Sequence, residues 1–221
     1  METSSDIDPQ MGATPPSPGL PGPSTSAQKP DIYVIRVSLK LSQETKIWRR
    51  VELSRRTTLH QFHGILQIVM GWENYHLHEF RVRNKRYGAP NPQFDPPKVF
   101  SALAKEKKVL LSEVLPGVNR QIRYFYNVDD PWAHEVKLLK IVPVKEGTRY
   151  PRLADGRGSC PPEDCRSPKG HAALLSVLNQ KEHVAYSLVS DYVQTHFRIE
   201  MPPLKEINQS LHRQRSLRVK A

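Results

Sequence analysis

Three histidines and one aspartate combine the residue types and spacing that suit a metal site. His76 and His78 stand two residues apart in a stretch typical of a strand, so both side chains leave the same face. His134 lies in a later stretch of the same kind, shortly after Asp130. Three imidazoles with a carboxylate or a water suit zinc or another divalent transition metal, and a metal-bound hydroxide can hydrolyse an ester or a phosphodiester. A metal-dependent hydrolase is therefore one hypothesis.

The same histidines also fit a structural role. His78 shares its strand face with Phe80, and His134 shares its face with Trp132. Hydrogen-bonded core histidines beside Trp72 and Trp132 would produce this pattern, because spacing alone does not identify a metal ligand.

A second group of residues is basic and is interleaved with aromatic side chains. Trp48, Tyr75 and Tyr87 flank the group. Its members are Arg49, Arg50, Arg55, Arg56, Arg81, Arg83, Lys85 and Arg86. Cations between aromatic rings can follow a single-stranded nucleic-acid backbone while the rings stack its bases. An exposed strand edge, where Lys and Arg discourage pairing with other chains, explains the same residues equally well.

Two carboxylates follow the rigid step formed by Pro161 and Pro162. Glu163 and Asp164 are placed either to hold a cation or to accept hydrogen bonds from the free amides of the next helix. The second interpretation is favoured, because acidic residues are common at helix N-termini.

The two cysteines of the chain do not form a recognised motif. Cys160 and Cys165 have four residues between them, which does not match the spacing of a zinc knuckle or of a redox pair. Two ordinary thiols are predicted.

The element that carries the clearest local signals is a helix after residue 58. Thr58 followed by Gln61 forms a capping box. Large apolar residues then recur at helical spacing as far as Met70, and Gly71 stands where a left-handed C-terminal cap is expected.

The remaining elements predict a sheet around this helix. Alternating apolar residues predict a hairpin of two strands before the helix, since one face of each strand is buried. The predicted strands span residues 33–41, 47–53, 76–82, 122–127 and 133–142, and helices are predicted over 171–179, 182–195 and 204–213. Residues 145–170 are predicted to form a loop. This order predicts an α+β fold, a mixed β-sheet with one helix packed across it in a β-grasp-like ββαβ core, plus C-terminal helices.

Composition divides the 221 residues into three parts. Residues 1–30 are rich in Pro and Ser and poor in large aliphatic residues, which predicts a disordered tail. Residues 31–213 are long enough for a single domain with a sizeable core, and residues 214–221 predict a basic C-terminal tail. The net charge of +11 favours polyanionic partners.

Hydropathy gives no reason to expect a membrane partner. No apolar run approaches the roughly 20 residues that cross a bilayer. The acidic, Pro-rich N-terminus is unlike a signal peptide. These features predict a cytoplasmic protein, in which disulfides are uncommon.

Seven short sequence motifs occur in order along the chain. They are Trp48-Arg49-Arg50, Thr58-Leu59 with His63, Met70-Gly71-Trp72, His76-Leu77-His78 with Phe80, Tyr87-Gly88, Asp130 with Trp132 and His134, and Pro161-Pro162-Glu163-Asp164. Their order and spacing resemble the plasmid pRiA4b ORF-3-like family over residues 31–212. The resemblance implies an association with plasmids and mobile elements, in which some relatives carry a TnpR-type resolvase label. The catalytic serine among arginines that a serine recombinase needs is not recognisable in this sequence.

These observations favour a non-enzymatic binding or accessory protein of mobile elements that contacts nucleic acid. The alternatives are a metal-dependent hydrolase that uses the histidine set and a protein–protein adaptor without a polyanionic ligand.

Overall fold

The predicted hairpin and the helix after it are both present. The computed structural model describes residues 31–41, 47–89, 103–127, 131–165, 167–196 and 200–217. The predicted tail over residues 1–30 and the last residues of the predicted C-terminal tail lie outside these ranges.

The described chain contains eight strands and five α-helices. The strands are β1 (Ile32–Leu39), β2 (Ile47–Ser54), β3 (His78–Val82), β4 (Lys85–Gly88), β5 (Ala104–Lys105), β6 (Gln121–Tyr126), β7 (Trp132–Val142) and β8 (Arg152–Arg157). The helices are α1 (Leu59–Met70), α2 (Leu111–Val114), α3 (Pro168–Leu178), α4 (Tyr186–His196) and α5 (Leu204–Arg213). Short 3-10 turns span Glu106–Lys108, Glu163–Cys165 and Arg215–Leu217.

All eight strands form one sheet in the order β5-β4-β3-β6-β7-β1-β2-β8. Neighbouring strands are antiparallel except β4 and β5, which are parallel, so the sheet is mixed. The predicted α+β fold is thereby confirmed. The β-grasp-like detail is not confirmed, because β6 and β7 lie between the hairpin and β3.

Strand β8 lies within residues 145–170, which were predicted to be a loop. Its sequence contains Asp155 and Gly156 and no alternation of large apolar residues, so only Leu153 packs into the core. The strand forms because β2 offers it a free edge, with Leu153 opposite Val51 and Trp48 opposite Arg157. Long-range pairing of this kind leaves no local pattern in the sequence.

Helix α1 begins and ends as the sequence predicts. The Thr58 hydroxyl accepts a hydrogen bond from the Gln61 amide at 3.2 Å, and the Gln61 side chain accepts one from the Thr58 amide at 3.0 Å. Gly71 adopts the left-handed conformation with φ of 80°, which glycine reaches without steric cost. The helix lies across one face of the sheet.

The core fills the space between α1 and the sheet. Leu59, Phe62 and Leu66 from the helix pack with alternate residues of the central strands, such as Ile35 and Val136. Side chains alternate along each strand, so the residues before and after a core residue point to the opposite face of the sheet. The main core cluster therefore lies on the α1 side of the sheet.

Helix α5 protects the edge of the sheet at β8. The Asn208 side chain accepts a hydrogen bond from the Leu153 amide at 2.7 Å and donates one to the Leu153 carbonyl at 2.9 Å. Ile207 and Leu211 of the same helix are buried in the core. The Asn208 side chain thus makes the two hydrogen bonds that the backbone of a neighbouring strand would otherwise make with Leu153.

The substitution Thr58→Ala removes the hydroxyl that accepts the Gln61 amide. We expect the free energy of unfolding to fall by about 1 kcal/mol, the usual contribution of an N-cap hydroxyl. Equilibrium unfolding in urea measures the change. Thr58→Ser keeps the acceptor and is the matched control. Equal losses in the two variants would show that the methyl group, and not the cap, stabilises this position.

Candidate functional site

The predicted metal ligands are not brought together. Strand β6 separates β3, which carries His78, from β7, which carries His134. The Tyr124 ring lies between them, with its centroid 6.1 Å from that of His78 and 5.3 Å from that of His134. Within the described ranges no group of three or more His, Cys, Asp and Glu side chains is placed to hold a metal ion. Asp130 lies outside the described residues.

His78 instead forms a hydrogen bond with Glu106, a residue that the sequence analysis did not connect with it. Its Nε2 lies 2.9 Å from one Glu106 oxygen, and His60 Nδ1 lies 2.9 Å from the other. Burial would raise the pKa of Glu106, but the hydrogen bonds from His78 and His60 and the charges of His78 and His63 together outweigh burial and lower it. An ionised carboxylate only accepts hydrogen bonds, so both imidazoles donate to it.

A second buried chain of hydrogen bonds passes through His63. Its ring is stacked on that of His78 with a centroid distance of 3.4 Å. Burial, followed by the repulsion of His78, lowers the pKa of His63 to about 3. Neutral His63 therefore donates from Nε2 to Asn74 Oδ1 at 2.8 Å and accepts the Tyr124 hydroxyl proton at Nδ1, also at 2.8 Å.

His134 is a core residue. Its side chain is 1% exposed, and it contacts the Trp72 ring edge-on with a centroid distance of 5.4 Å. Burial lowers the pKa of His134 to about 4, and the nearby backbone of Trp132 and Tyr124 opposes only part of this fall. Neither ring nitrogen makes a well-formed hydrogen bond within the described chain. A neutral imidazole in this position packs as an aromatic ring.

Glu163 lies at the margin of the same core, where it binds the segment that follows α1. It accepts hydrogen bonds from the Tyr75 amide at 3.0 Å, from the Glu73 amide and from the Tyr126 hydroxyl. Glu163 therefore does not cap the next helix as predicted, because Ser167 accepts the Gly170 amide at the start of α3. The Asp164 backbone lies in the 3-10 turn beside Glu163.

His76 and Trp72 both contact Tyr126, the tyrosine whose hydroxyl bonds Glu163. The His76 amide donates to the Tyr126 hydroxyl at 3.2 Å, and its ring meets that of Tyr126 edge-on. The Trp72 ring stacks on Tyr126 with centroids 5.0 Å apart, and its Nε1 donates to the Pro161 carbonyl at 3.0 Å. Fully buried Trp132 lies 5.9 Å from Trp72 between ring centroids. Four of the seven short motifs thus contribute side chains to one cluster around Tyr126, and these are Trp72, His76, Trp132 and Glu163.

Arg49 was predicted to contact nucleic acid and is instead buried. Its side chain is 1% exposed and points to the α1 side of the sheet. It donates to the carbonyls of Val69, Trp48 and Arg157 at 2.7 to 3.0 Å and to the Cys160 sulfur at 3.1 Å. A cation on a carbonyl in the last turn of a helix is stabilised by the helix dipole. The role of Arg49 is to fix the end of α1 to the sheet.

The other predicted cations fall into three places. Arg55 and Arg56 lie in the turn before α1, where Arg55 pairs with Asp31 at 2.9 Å. Exposed Lys85 pairs in register with Val82 in the β3–β4 hairpin. The remaining four lie on or beside the face of the sheet opposite α1, and they are Arg50, Arg81, Arg83 and Arg86.

We call the surface opposite α1 the open face. It is formed by the alternate side chains that do not enter the main core. Most of them are exposed or half-buried, while Ile32, Val34 and Glu79 are buried. Its basic and aromatic members are Arg36, Lys40, Trp48, Arg50, Arg81, Arg86, Arg123, Phe125, Lys137, Arg152 and Arg157. Its acidic members are Glu52, Glu79, Glu135 and Asp155. Cations thus clearly outnumber anions on this face.

Like charges stand opposite one another across the strands of the open face. Arg36 is in register with Arg50 on one side and with Lys137 on the other. Arg81 is in register with Arg123. Like charges directly opposite in an antiparallel pair destabilise the sheet. A bound polyanion would remove this repulsion.

The acidic residues of the open face neutralise only some of these cations. Lys40 pairs with Glu135, Arg50 with Asp155 and Arg152 with Glu52, at distances between 2.7 and 3.4 Å, while Glu79 pairs with both Arg81 and Arg86. The remaining four make no ion pair with another described residue, and they are Arg36, Arg123, Lys137 and Arg157.

A shallow depression of about 600 Å³ lies on the open face above β6 and β7. Four cations line it, and they are Lys40, Arg81, Arg83 and Arg123. Phe125 forms part of its surface, and Glu135 is the acidic residue among its lining. A concave basic surface with an aromatic side chain suits an anionic ligand that carries flat rings.

Sequence reasoning found Arg50, Arg81 and the Trp48 ring but missed most of the open face. Arg36, Arg123 and Lys137 each alternate with buried apolar residues, and this signal is present in the sequence. Which strands are neighbours decides whether such residues form one surface, and the sequence does not show that order.

The burial of neutral His134 predicts a dependence of stability on pH. The unfolded chain takes up a proton near the ordinary pKa of 6.5, whereas folded His134 does so only near 4. Stability is therefore fully present above pH 6.5 and is lost as the pH falls towards 4. We expect His134→Leu to reduce the slope of unfolding free energy against pH by about 1.4 kcal/mol per pH unit in this range.

Urea unfolding at several pH values between 4 and 7 measures this slope. The matched control is His183→Gln, because His183 is exposed. Equal slopes for His134→Leu and the unmodified protein would contradict the assignment of His134 as a neutral core residue.

Comparison with known proteins identifies relatives over most of the described chain. The family model described as "Plasmid pRiA4b ORF-3-like protein" matches residues 31–206. The "Uncharacterized protein y4hQ" of Sinorhizobium fredii is 33% identical over 152 residues, which are 68% of this chain and 75% of that protein.

A crystal structure shows the same fold. The protein of unknown function MM3350 from Methanosarcina mazei Go1 superposes with a TM-score of 0.70 at 31% identity, covering 81% of this chain and 98% of that one. No helix in the described part of this chain is long and apolar enough to cross a membrane. The chain belongs to the plasmid pRiA4b ORF-3-like protein family.

Proposed function

We propose that this protein is a binding protein that holds nucleic acid on the open face of its sheet. The observation that carries the proposal is the row of like charges formed by Lys137, Arg36 and Arg50 across three neighbouring strands. Such a row destabilises the free protein and is relieved by a polyanion. Nucleic acid is a polyanion with regularly spaced charges and flat rings, and both properties match this surface.

The unpaired cations support a salt-dependent mode of binding. Arg157 and Arg123 lie at the two ends of one register row that crosses β8, β2, β1, β7 and β6. Strands are spaced about 4.8 Å apart, so this row is roughly 19 Å long. A cation that contacts a phosphate releases a condensed counterion, which makes affinity fall as salt rises. Trp48, Ser38 and Glu135 lie between these two cations, so phosphates bound at the two ends of the row would lie several nucleotides apart.

The buried histidines do not enter this proposal. His78 Nε2 and His60 Nδ1 each bond an oxygen of Glu106, and His78 shares its strand face with Phe80 of the core. Because β6 also lies between the strands of His78 and His134, this arrangement does not favour the metal-dependent hydrolase. The protein–protein adaptor remains the alternative that an absence of nucleic-acid binding would favour.

The biological setting that we propose is mobile DNA. The name of the family refers to a plasmid reading frame. A plasmid-associated protein with a basic, open sheet face is suited to contact the nucleic acid of its own element. The proposal describes an accessory role and assigns no catalytic residue.

Neutralising three unpaired cations tests the charge contribution. The triple variant Arg123→Gln, Lys137→Gln and Arg157→Gln is expected to bind a fluorescent oligonucleotide at least about tenfold more weakly in 0.1 M salt. The slope of log affinity against log salt should become shallower by about 2, since each phosphate contact with a single strand contributes roughly 0.7. Fluorescence anisotropy across a salt series measures both quantities.

A second triple variant controls for net charge. Lys108→Gln, Lys205→Gln and Arg213→Gln change the charge by the same amount at exposed positions away from the open face. We expect this variant to retain the affinity and the salt slope of the unmodified protein. Equal weakening in both triple variants would contradict a site on the open face, and a flat salt response in the unmodified protein would contradict nucleic-acid binding altogether.

A further inference from the structure

Two arginine–aromatic pairs stand on the open face and share one geometry. The Arg36 guanidinium carbon lies 4.5 Å from the centroid of the Trp48 ring, and that of Arg81 lies 4.1 Å from the centroid of Phe125. In each pair the arginine and the ring are diagonal neighbours on adjacent strands. A guanidinium over an aromatic face is attracted by the ring quadrupole.

Both aromatic residues are partly exposed on the open face. Trp48 and Phe125 are half-buried, although their positions alternate with fully buried residues of β2 and β6. The other two tryptophans, Trp72 and Trp132, are buried on the α1 side. Large aromatic side chains on a sheet face that is rich in cations are suited to contact a flat anionic ligand.

The two pairs are separated by a distance that a short oligonucleotide spans. Trp48 on β2 and Phe125 on β6 are three strands apart, or about 14 Å, and two residues apart along the strands, or about 7 Å. The resulting separation is about 16 Å. A stacked strand rises about 3.4 Å per nucleotide, so about five nucleotides cover it.

We infer that the open face is specific for single-stranded nucleic acid and that Trp48 and Phe125 each stack an unpaired base. This inference rests on the proposed function and adds its substrate class. Bases in a duplex already stack on one another, so their faces cannot reach the two rings. Duplex DNA is read by a helix or ribbon that enters a groove, whereas this surface is a broad sheet.

The arginines complete each stacking position. Because the guanidinium of Arg36 or Arg81 lies over one face of its ring, a base would stack on the guanidinium plane or on the other face of the ring. Arginine stacks on flat rings and also binds phosphate through its fork of donors, so one side chain serves both contacts. Unpaired Arg123 stands in the register row of Trp48 and two residues along β6 from Phe125, where it is placed to contact a phosphate between the two stacked bases.

Trp48 provides a direct spectroscopic test. Titration with oligothymidylate or oligouridylate of about twelve nucleotides should quench tryptophan fluorescence, while a blunt duplex of the same length should not. The two single strands distinguish a preference for DNA from one for RNA. We expect the more tightly bound of these two single strands to bind at least about tenfold more tightly than the duplex.

Substitution of the rings tests the stacking itself. Trp48→Leu and Phe125→Leu should each weaken single-strand binding by about five- to a hundredfold, the usual effect of removing one stacking ring. Trp48→Phe keeps a ring, so affinity should stay within about threefold while the quenching disappears. Tyr75→Leu is the matched control, because Tyr75 is an exposed aromatic residue beside Glu163 and outside the open face.

The outcomes separate this inference from the proposal on which it rests. Duplex binding as tight as single-strand binding, or ring variants that behave like Tyr75→Leu, would overturn single-strand stacking and leave salt-dependent nucleic-acid binding in place. No binding of any probe at low salt would overturn both. Unchanged thermal unfolding of the ring variants, measured beside each titration, assigns a loss of affinity to the lost ring.

Discussion

The pleat of one continuous sheet is the constraint from which the other features follow. Successive side chains of a strand point to opposite faces, so burying one set beneath α1 obliges the other set to face away. On β1, buried Ile35 and Val37 leave Arg36 exposed between them. On β6, buried Tyr124 leaves Arg123 and Phe125 outside. The core and the open face are therefore two consequences of the same alternation.

Buried carboxylates hold the core side together at its margins. Glu106 joins the 3-10 turn before α2 to α1 through His60 and to β3 through His78. Glu163 joins a second turn to the segment between α1 and β3 through backbone amides and the Tyr126 hydroxyl. Hydrogen bonds to a charged group are stronger than those between neutral groups. His78, which the sequence suggested as a metal ligand, instead bonds Glu106 and so helps to hold these segments together.

Local signals in the sequence predicted those parts of the fold that local physics determines. The capping box at Thr58 and the left-handed Gly71 depend on residues within one turn, and both were predictable. Strand β8 depends on the free edge of β2 about a hundred residues earlier, and nothing in its own sequence indicates a strand. The burial of Arg49 likewise depends on carbonyls of Val69 and Arg157, which only the folded chain brings near it. The composition of the open face was visible residue by residue, but the order of the strands was needed to assemble it.

The contact of Asn208 with β8 also limits how the molecule can associate. An unpaired strand edge is a template on which a second polypeptide can add its own strand, as in donor-strand complementation or fibre growth. At Leu153 the Asn208 amide already occupies the donor and the acceptor that such a polypeptide would use. The opposite edge, β5, is only two residues long and offers little to an incoming chain. Addition of a further strand is thus disfavoured at Leu153 and along β5.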